Sequence, residues 1–149
     1  MKFSTKGRYG LQAMIDLAVH NEEGHVALKS IAERQGLSEN YLEQLFAILK
    51  KAGLVKSARG SLGGYELAEG AEKITVGDIL RPLEGPLVGH KCAARSGEKC
   101  ESSYNCFVTK NVWAMIQSGI DQVTDSITLK QLADEFRKGR EHSDSHCCL

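Results

Sequence analysis

Apolar residues recur at helical spacing in the first third of the chain and predict three helices. The first helix begins after Ser4, an expected N-cap, and ends near Asn21. A short extended piece, 25–27, leads into a second helix at Leu28–Gln35. A third helix, Glu39–Ala52, follows after a turn. The apolar face of the first helix consists of Leu11, Met14, Ile15, Ala18 and Val19.

Small and polar residues mark the ends of the second and third helices. Gly36 is expected to end the second helix in the left-handed conformation, which glycine adopts without steric cost. Ser38 is placed to cap the third helix, and Gly53 to close it. The third helix is amphipathic, because one side carries apolar residues at helical spacing. These core-facing residues are Leu42, Leu45, Phe46 and Leu49.

A glycine-rich segment after the third helix predicts a β-hairpin. Residues 55–58 and 64–68 flank the sequence RGSLGG and are expected to pair. Gly60, Gly63 and Gly64 are expected to supply the positive φ values that such turns require. Helix, turn, helix and hairpin in this order predict a winged helix-turn-helix, mostly α with a small β wing. This fold places one helix in the major groove of DNA.

The rest of the chain predicts a short helix, a loop, a long helix and a terminal helix. Thr75 is expected to cap the short helix, Val76–Leu83, and 85–106 shows no period and is interpreted as a loop. The long helix covers 107–126, and the last helix, Leu129–Arg137, starts after a threonine cap. The long helix carries one apolar stripe, formed by Val108, Val112, Ile116, Ile120, Val123 and Ile127.

These elements divide the chain into four expected parts. Residues 1–83 form the winged helix-turn-helix DNA-binding domain, and 84–106 the cysteine-bearing loop. Residues 107–137 comprise the dimerisation helix and the terminal helix, and the polar tail 138–149 is expected to be disordered. The apolar stripe of the long helix is too extensive for one small DNA-binding domain, here called the head, to cover. We therefore expect a homodimer.

The polar side of the third helix predicts DNA binding. Asn and Gln side chains can bracket adenine, and Glu can accept a hydrogen bond from cytosine N4. Lys6 and Arg8 are expected to contact phosphates, and Arg59 at the wing tip, beside Gly60, to enter the minor groove. The alternative is an amphipathic helix whose polar face is merely solvated. The candidate base-reading residues are Ser38, Asn40, Tyr41, Glu43 and Gln44.

The charge balance favours a dimeric DNA-binding protein over a strongly basic monomer. The chain carries 19 basic and 19 acidic residues, and 1–67 carries 9 basic against 7 acidic, a difference of +2. A dimer that combines two heads, or a few well-placed contacts, would compensate for the small positive charge of each head. The N-terminus lacks the apolar core of a signal peptide, and no apolar run approaches the length of a membrane span. We therefore expect a cytoplasmic protein with no membrane partner.

Three cysteines within fifteen positions indicate a metal or redox site. Cys92, Cys100 and Cys106 supply soft thiolate ligands, which suit iron–sulfur clusters or zinc, although the spacing differs from that of zinc ribbons. Free thiols, or one disulfide with a spare cysteine, are the structural alternatives. Cys147 and Cys148 in the tail are expected to have no such role. No nucleophile–base pattern is present, so we expect neither an enzyme nor a small-molecule substrate.

The chain resembles the IscR-type iron–sulfur cluster regulators, a bacterial winged-helix family that also includes NsrR and CymR. The resemblance runs through STKGRYGLQAMIDLAV, ERQGLSENYLEQLF, GLVKSARGSLGGYELA and ITVGDI and covers nearly all of 1–130. It implies a homodimer joined by the long helix, and a transcription regulator, mainly a repressor, bound to a double-stranded operator. It also implies an iron–sulfur cluster on Cys92, Cys100 and Cys106 that senses cluster supply, redox stress or nitric oxide. A [2Fe–2S] cluster is preferred, and [4Fe–4S] is the alternative.

Two positions depart from the family pattern and leave the fourth cluster ligand open. Thr109 stands where IscR proteins usually have a histidine, and Arg8 falls near the acid that completes the cluster in NsrR-like members. Other sources are Asn105, Glu101, a residue of the partner's head, water or the tail. A cluster-free regulator of cysteine metabolism that senses thiol oxidation or a partner protein is the first alternative function. An iron–sulfur carrier or redox protein is the second.

Overall fold

A computed structural model of the chain describes residues 4–21, 24–58, 63–85 and 104–143. In these ranges the chain forms six helices and a two-stranded antiparallel sheet. The fold is therefore mostly α with a small β wing, as the sequence predicts. In chain order the elements are α1 (Thr5–His20), α2 (Leu28–Gln35), α3 (Glu39–Lys51), β1 (Val55–Ala58), β2 (Gly64–Leu67), α4 (Val76–Glu84), α5 (Tyr104–Ser126) and α6 (Leu129–Ser143).

Local capping explains the end of α2 and the starts of α3 and α4, which lie where the sequence predicts, whereas α3 ends one residue earlier and α4 one residue later than predicted. Gly36 has φ 64° and ends α2, and Gly53 has φ 79° beyond the end of α3. The Ser38 hydroxyl accepts a hydrogen bond of 3.3 Å from the Tyr41 amide at the start of α3. Thr75 and Asp78 form a capping box at the start of α4, in which each side chain accepts from the other residue's amide.

Among the described residues, one hydrophobic core lies between α1, α2, α3, the wing, α4 and α6, and the apolar side of α3 is buried in it. Leu42, Leu45, Phe46 and Leu49 are all buried, which confirms the predicted face. The Phe46 ring packs against the ring of Tyr65 in β2, with a centroid separation of 4.7 Å. α3 and the wing therefore pack directly against each other.

The wing is held to the head by a third extended segment. β1 and β2 pair antiparallel, with Val55 opposite Leu67 and Ala58 opposite Gly64. Val26 then pairs with Tyr65 through two hydrogen bonds of 2.8 Å between their amides and carbonyls, as the predicted extended piece before α2 implies.

Gly64 serves a different purpose from the one predicted, because it lies in β2 without a positive φ. A Cβ on Gly64 would lie 2.5 Å from the carbonyl oxygen of Val26, so the close approach of the Val26 backbone excludes a side chain. The prediction of a turn conformation here was wrong, since the wing's pairing with Val26 could not be read from local sequence. Gly60 lies outside the described residues.

Ser4 flanks α1 as predicted, but its side chain caps no helical amide. Instead, the carboxylate of Glu84, at the end of α4, accepts hydrogen bonds from the Ser4 hydroxyl, the Ser4 amide and the Gly7 amide at 2.7, 2.9 and 3.0 Å. A negative charge at a helix N-terminus is favourable, because the free amides there carry partial positive charge. The cap of α1 is thus supplied by another helix.

The terminal helix differs most from expectation. α6 continues past Arg137 to Ser143, and its Leu129 and Ala133 are buried in the core of the head. The Arg137 guanidinium donates to the carbonyl of Val19, at the C-terminal end of α1, at 3.2 Å. Packing against α1 stabilises α6 beyond its predicted end, and associates this helix with the head and not with α5.

Candidate DNA-binding surface

The N-terminal half of α3 presents a row of polar side chains to solvent. Ser38, Asn40, Glu43 and Gln44 are all exposed. The opposite side of the helix is anchored in the core, so these four side chains can approach a groove without unpacking the helix. The arrangement matches the docking of a recognition helix, whose N-terminal residues contact base edges.

Tyr41 is the exception among the predicted base-reading residues. Its ring packs edge-on against Tyr9 of α1, with centroids 6.1 Å apart, and the side chain is half-buried. Its hydroxyl oxygen is buried and has no hydrogen-bond partner among the described residues. In this conformation Tyr41 joins α1 to α3 and does not face outward with Asn40 and Gln44.

The first turn of α1 places Lys6 and Arg8 on the protein surface. Both residues are exposed, while Gly7 between them is buried against Glu84 of α4. Two basic side chains therefore lie at the surface on either side of Gly7, which packs inward against α4. The contacts of Lys6 and Arg8 with phosphates stay a prediction, with which their exposure agrees. Arg59 and Gly60 at the wing tip lie outside the described residues.

A buried ion pair fixes the angle between α1 and α2, the first helix of the helix-turn-helix. The Asp16 side chain is only 2% exposed, and both of its oxygens accept from the Arg34 guanidinium, with the shortest contact at 2.5 Å. Gln35 donates to the same carboxylate at 3.0 Å. The hydrogen bond to Asp16 raises the pKa of Arg34 above its ordinary value, so the guanidinium stays charged.

A second set of ion pairs joins the head to the long helix. Arg81 of α4 donates to both oxygens of Asp125 in α5, at 2.6 and 2.7 Å, and to Asp121 at 3.4 Å. The hydrogen bond to Asp125 raises the pKa of Arg81 above its ordinary value. A Cβ on Gly77 would overlap the Asp125 carboxylate, so this glycine makes room for the pair.

The long helix α5 exposes much of its apolar stripe. Val112, Val123 and Met115 are 50%, 61% and 75% exposed, and Ile116 is exposed as well. Beside them, α4 and α5 enclose an open groove of about 560 Å³ with an almost wholly apolar lining. The groove is lined by Val76, Leu80, Ile116, Gly119, Ile120, Val123 and Thr124.

The cysteine site is described only in part. Cys106 lies in the first turn of α5, and Thr109, one turn later, is exposed. Cys92, Cys100 and Glu101 lie outside the described residues, as do Cys147 and Cys148. Within the described ranges, no three His, Cys, Asp or Glu side chains come together as a metal site. Three thiolates do suit an iron–sulfur cluster by ligand chemistry, with a fourth position still to be filled.

Several residues that hold the helices against one another are harder to identify from the sequence than the capping residues are. Asp16 lies between buried apolar residues, where a charge indicates a buried partner, but nothing local identifies Arg34. Gly7 and Gly10 interrupt the α1 pattern at a cost in helix propensity, which indicates a close neighbour. The neighbours are Glu84 and Leu83 of α4, since a Cβ on either glycine would overlap them.

The Rrf2 family, described as iron-dependent transcriptional regulators, matches residues 3–135. The chain belongs to the Rrf2 family. A match over this range takes in the helix-turn-helix, the wing, the cysteines of the loop and α5. The protein is therefore a transcriptional regulator, and no enzyme family is indicated. In the described part of the chain, no helix is both long and apolar enough to cross a membrane.

The chain is similar to regulators named CymR and to regulators named IscR. CymR of Bacillus subtilis (strain 168) is 47% identical over 133 residues, 89% of this chain and 90% of that protein. Its solved structure, described as the global cysteine regulator, matches with a TM-score of 0.73, covering 91% of this chain and 98% of that one. IscR of Aliivibrio salmonicida is 42% identical over 132 residues, 89% of this chain and 77% of that protein. The solved IscR of T. potens is 51% identical with a TM-score of 0.71, covering 100% of this chain and 94% of that one.

Proposed function

We propose that this Rrf2-family regulator binds a double-stranded operator as a homodimer, with α3 in the major groove, and that it acts mainly as a repressor. The observation that carries the proposal is the exposed polar row of α3 on a helix whose other side is fully buried. Asn40, Glu43 and Gln44 contact base edges, with Ser38 at the start of the row. Lys6 and Arg8 contact phosphates, and Arg59 and Gly60 in the wing complete the surface.

The exposed apolar stripe of α5 supports the homodimer. A soluble monomer rarely exposes a contiguous apolar surface of this kind. The groove between α4 and α5 offers a complementary apolar seat beside the stripe. A second copy brings the same groove and stripe, and a two-fold pairing would cover both. Two weakly basic heads then share one operator, and the proposed setting of this work is the bacterial cytoplasm.

We further propose that the cysteine loop controls operator affinity through an iron–sulfur cluster on Cys92, Cys100 and Cys106. The family description, the IscR relatives and the three thiolates support this assignment. A bound cluster supplies redox-sensitive iron, and [2Fe–2S] is preferred over [4Fe–4S]. Because Cys106 belongs to α5, and α5 is joined to the head through Arg81, a change in the loop can bias the placement of the heads.

The CymR relatives favour a second candidate function, in which the same thiols sense oxidation or a partner protein without iron and regulate cysteine metabolism. Anaerobic purification with an absorption spectrum and iron and sulfide analysis separates the two. Cluster sensing predicts iron and sulfide that are lost when Cys92, Cys100 or Cys106 is changed to Ala. The double change of Cys147 and Cys148 to Ala is the matched control and should retain the chromophore. Iron-free protein whose DNA binding responds to thiol oxidation would favour the second candidate.

Operator binding is tested by comparing two kinds of variant on duplexes selected from a random library by the wild-type protein. Gln44→Ala should change which sequences are preferred, at about 1–3 kcal/mol per lost base contact. Lys6→Ala should weaken all sequences about equally and reduce the salt dependence of binding. If Gln44→Ala leaves sequence preference unchanged, α3 does not carry the readout.

A further inference from the structure

The N-terminus of α1 is held by a carboxylate from α4. Oε1 of Glu84 accepts from the Ser4 amide, the Ser4 hydroxyl and the Gly7 amide, all within 3.0 Å. These two residues flank Lys6 in sequence, and Arg8 follows directly. The backbone that carries both proposed phosphate contacts is therefore fixed by one side chain from another helix.

Close packing between α1 and α4 reinforces the hydrogen bonds made by Glu84. Gly7 leaves room for the Glu84 carboxylate, and Gly10, one turn later, leaves room for Leu83. Two glycines inside a helix reduce its intrinsic stability by about 1 kcal/mol each, so their presence here is explained by the approach of α4. The first two turns of α1 are shaped to receive the end of α4.

The other attachment of α4 is to the long helix. Arg81, one turn before Glu84, is bound by Asp125 and Asp121 of α5. α4 thus connects α5, the proposed dimerisation helix, with the part of α1 that faces DNA. The negative charge of Glu84 lies at the same N-terminus of α1 as Lys6 and Arg8, and by its charge alone it would oppose the binding of DNA.

We propose that Glu84 is a positioning residue for DNA binding, which holds Lys6 and Arg8 where they reach operator phosphates. This inference rests on the proposed role of those two residues. It predicts a loss of affinity when Glu84 is removed, whereas simple electrostatic repulsion predicts a gain. The opposite signs make the two explanations separable.

The test is operator affinity measured over a salt series on a duplex selected by the wild-type protein. Log K falls as log salt rises, and each lost phosphate contact makes this negative slope shallower by about 0.9, which is about eightfold in affinity near 0.1 M salt. Glu84→Ala should lose one to two contacts by this measure. Glu84→Gln keeps an oxygen acceptor and should retain most of the affinity and slope. Glu135→Ala, which removes an exposed carboxylate from α6, is the matched control and should behave as wild type.

Gly7→Ala provides an independent variant that tests the same contact without weakening the helix. Alanine favours the helical state but would displace the Glu84 carboxylate. The negative slope of log K against log salt should therefore become shallower, as in Glu84→Ala. In a background with Lys6 and Arg8 both changed to Ala, Glu84→Ala should have no further effect.

Three results would overturn the inference. They are tighter binding by both Glu84 variants, wild-type affinity and slope in Glu84→Ala, and an undiminished effect of Glu84→Ala without Lys6 and Arg8. A wild-type protein that selects no duplex would instead refute the proposed function.

Discussion

At the scale of single residues, the structure separates side chains that face DNA from those that support the surface. Asn40, Glu43 and Gln44 are exposed on α3, whereas Tyr41, one position from Asn40, turns its ring inward onto Tyr9. Its hydroxyl is buried and has no partner among the described residues. A buried polar group without a hydrogen bond lowers stability and adds no base contact.

Tyr41→Phe should therefore leave operator affinity and preference unchanged. The free energy of unfolding should stay the same or rise by up to about 1 kcal/mol, because an unpaired buried hydroxyl is removed. Thermal unfolding and operator titration measure the two effects, with Gln44→Ala as the comparison. A changed operator preference in Tyr41→Phe would mean that the hydroxyl turns outward on DNA, as the sequence alone predicted.

At the scale of elements, the sequence predicted those features of the helices that depend on residues close together in the chain. The end of α2, the start of α3 and the start of α4 follow from Gly36, Ser38 and Thr75, whose effects act within one helical turn. The buried face of α3 followed from its period. The fold and family could thus be inferred before any coordinates, and the polar row of the site with them.

Contacts between distant elements could not be inferred in this way. Nothing near Ser4 indicates that Glu84 caps α1, and nothing near Gly64 indicates that Val26 occupies its side-chain space. The attachment of α6 to the head, through the buried Leu129 and Ala133 and the hydrogen bond from Arg137 to Val19, is likewise invisible in the local pattern. Periodicity gives the face of a helix but does not identify the partner that covers it.

The Asp16–Arg34 pair should be a main determinant of how α1 holds α2. Arg34→Met leaves the Asp16 carboxylate buried with Gln35 alone, and should lower the free energy of unfolding by about 2–3 kcal/mol. This is below the full cost of breaking a buried pair, because Arg34 is about a third exposed and water can enter. Chemical denaturation measures the change. The double variant Asp16→Leu with Arg34→Met should recover part of the loss, and an Arg34→Met protein as stable as wild type would contradict the assignment.

At the scale of the whole molecule, the head and α5 form one connected structure. Glu84 and Arg81 join α4 to α1 and α5, and Leu129 returns the chain to the core of the head. In the described part of the chain, most of the large apolar side chains that stay exposed lie on α5, along the stripe and the groove that it lines with α4. The account therefore depends on a second copy that covers the stripe and brings two α3 helices to one operator.

The most direct test of this central claim is the sedimentation of wild type and Ile120→Asp with a selected duplex at micromolar concentration. Ile120 lines the groove, so a charge there should prevent pairing. Gln122→Asp places the same charge on a neighbouring exposed position of α5, about 200° around the helix, and is the matched control. The account predicts two chains per duplex for wild type and the control, and a weakly bound monomer for Ile120→Asp. One wild-type chain per duplex, or a dimer that survives Ile120→Asp, would contradict it.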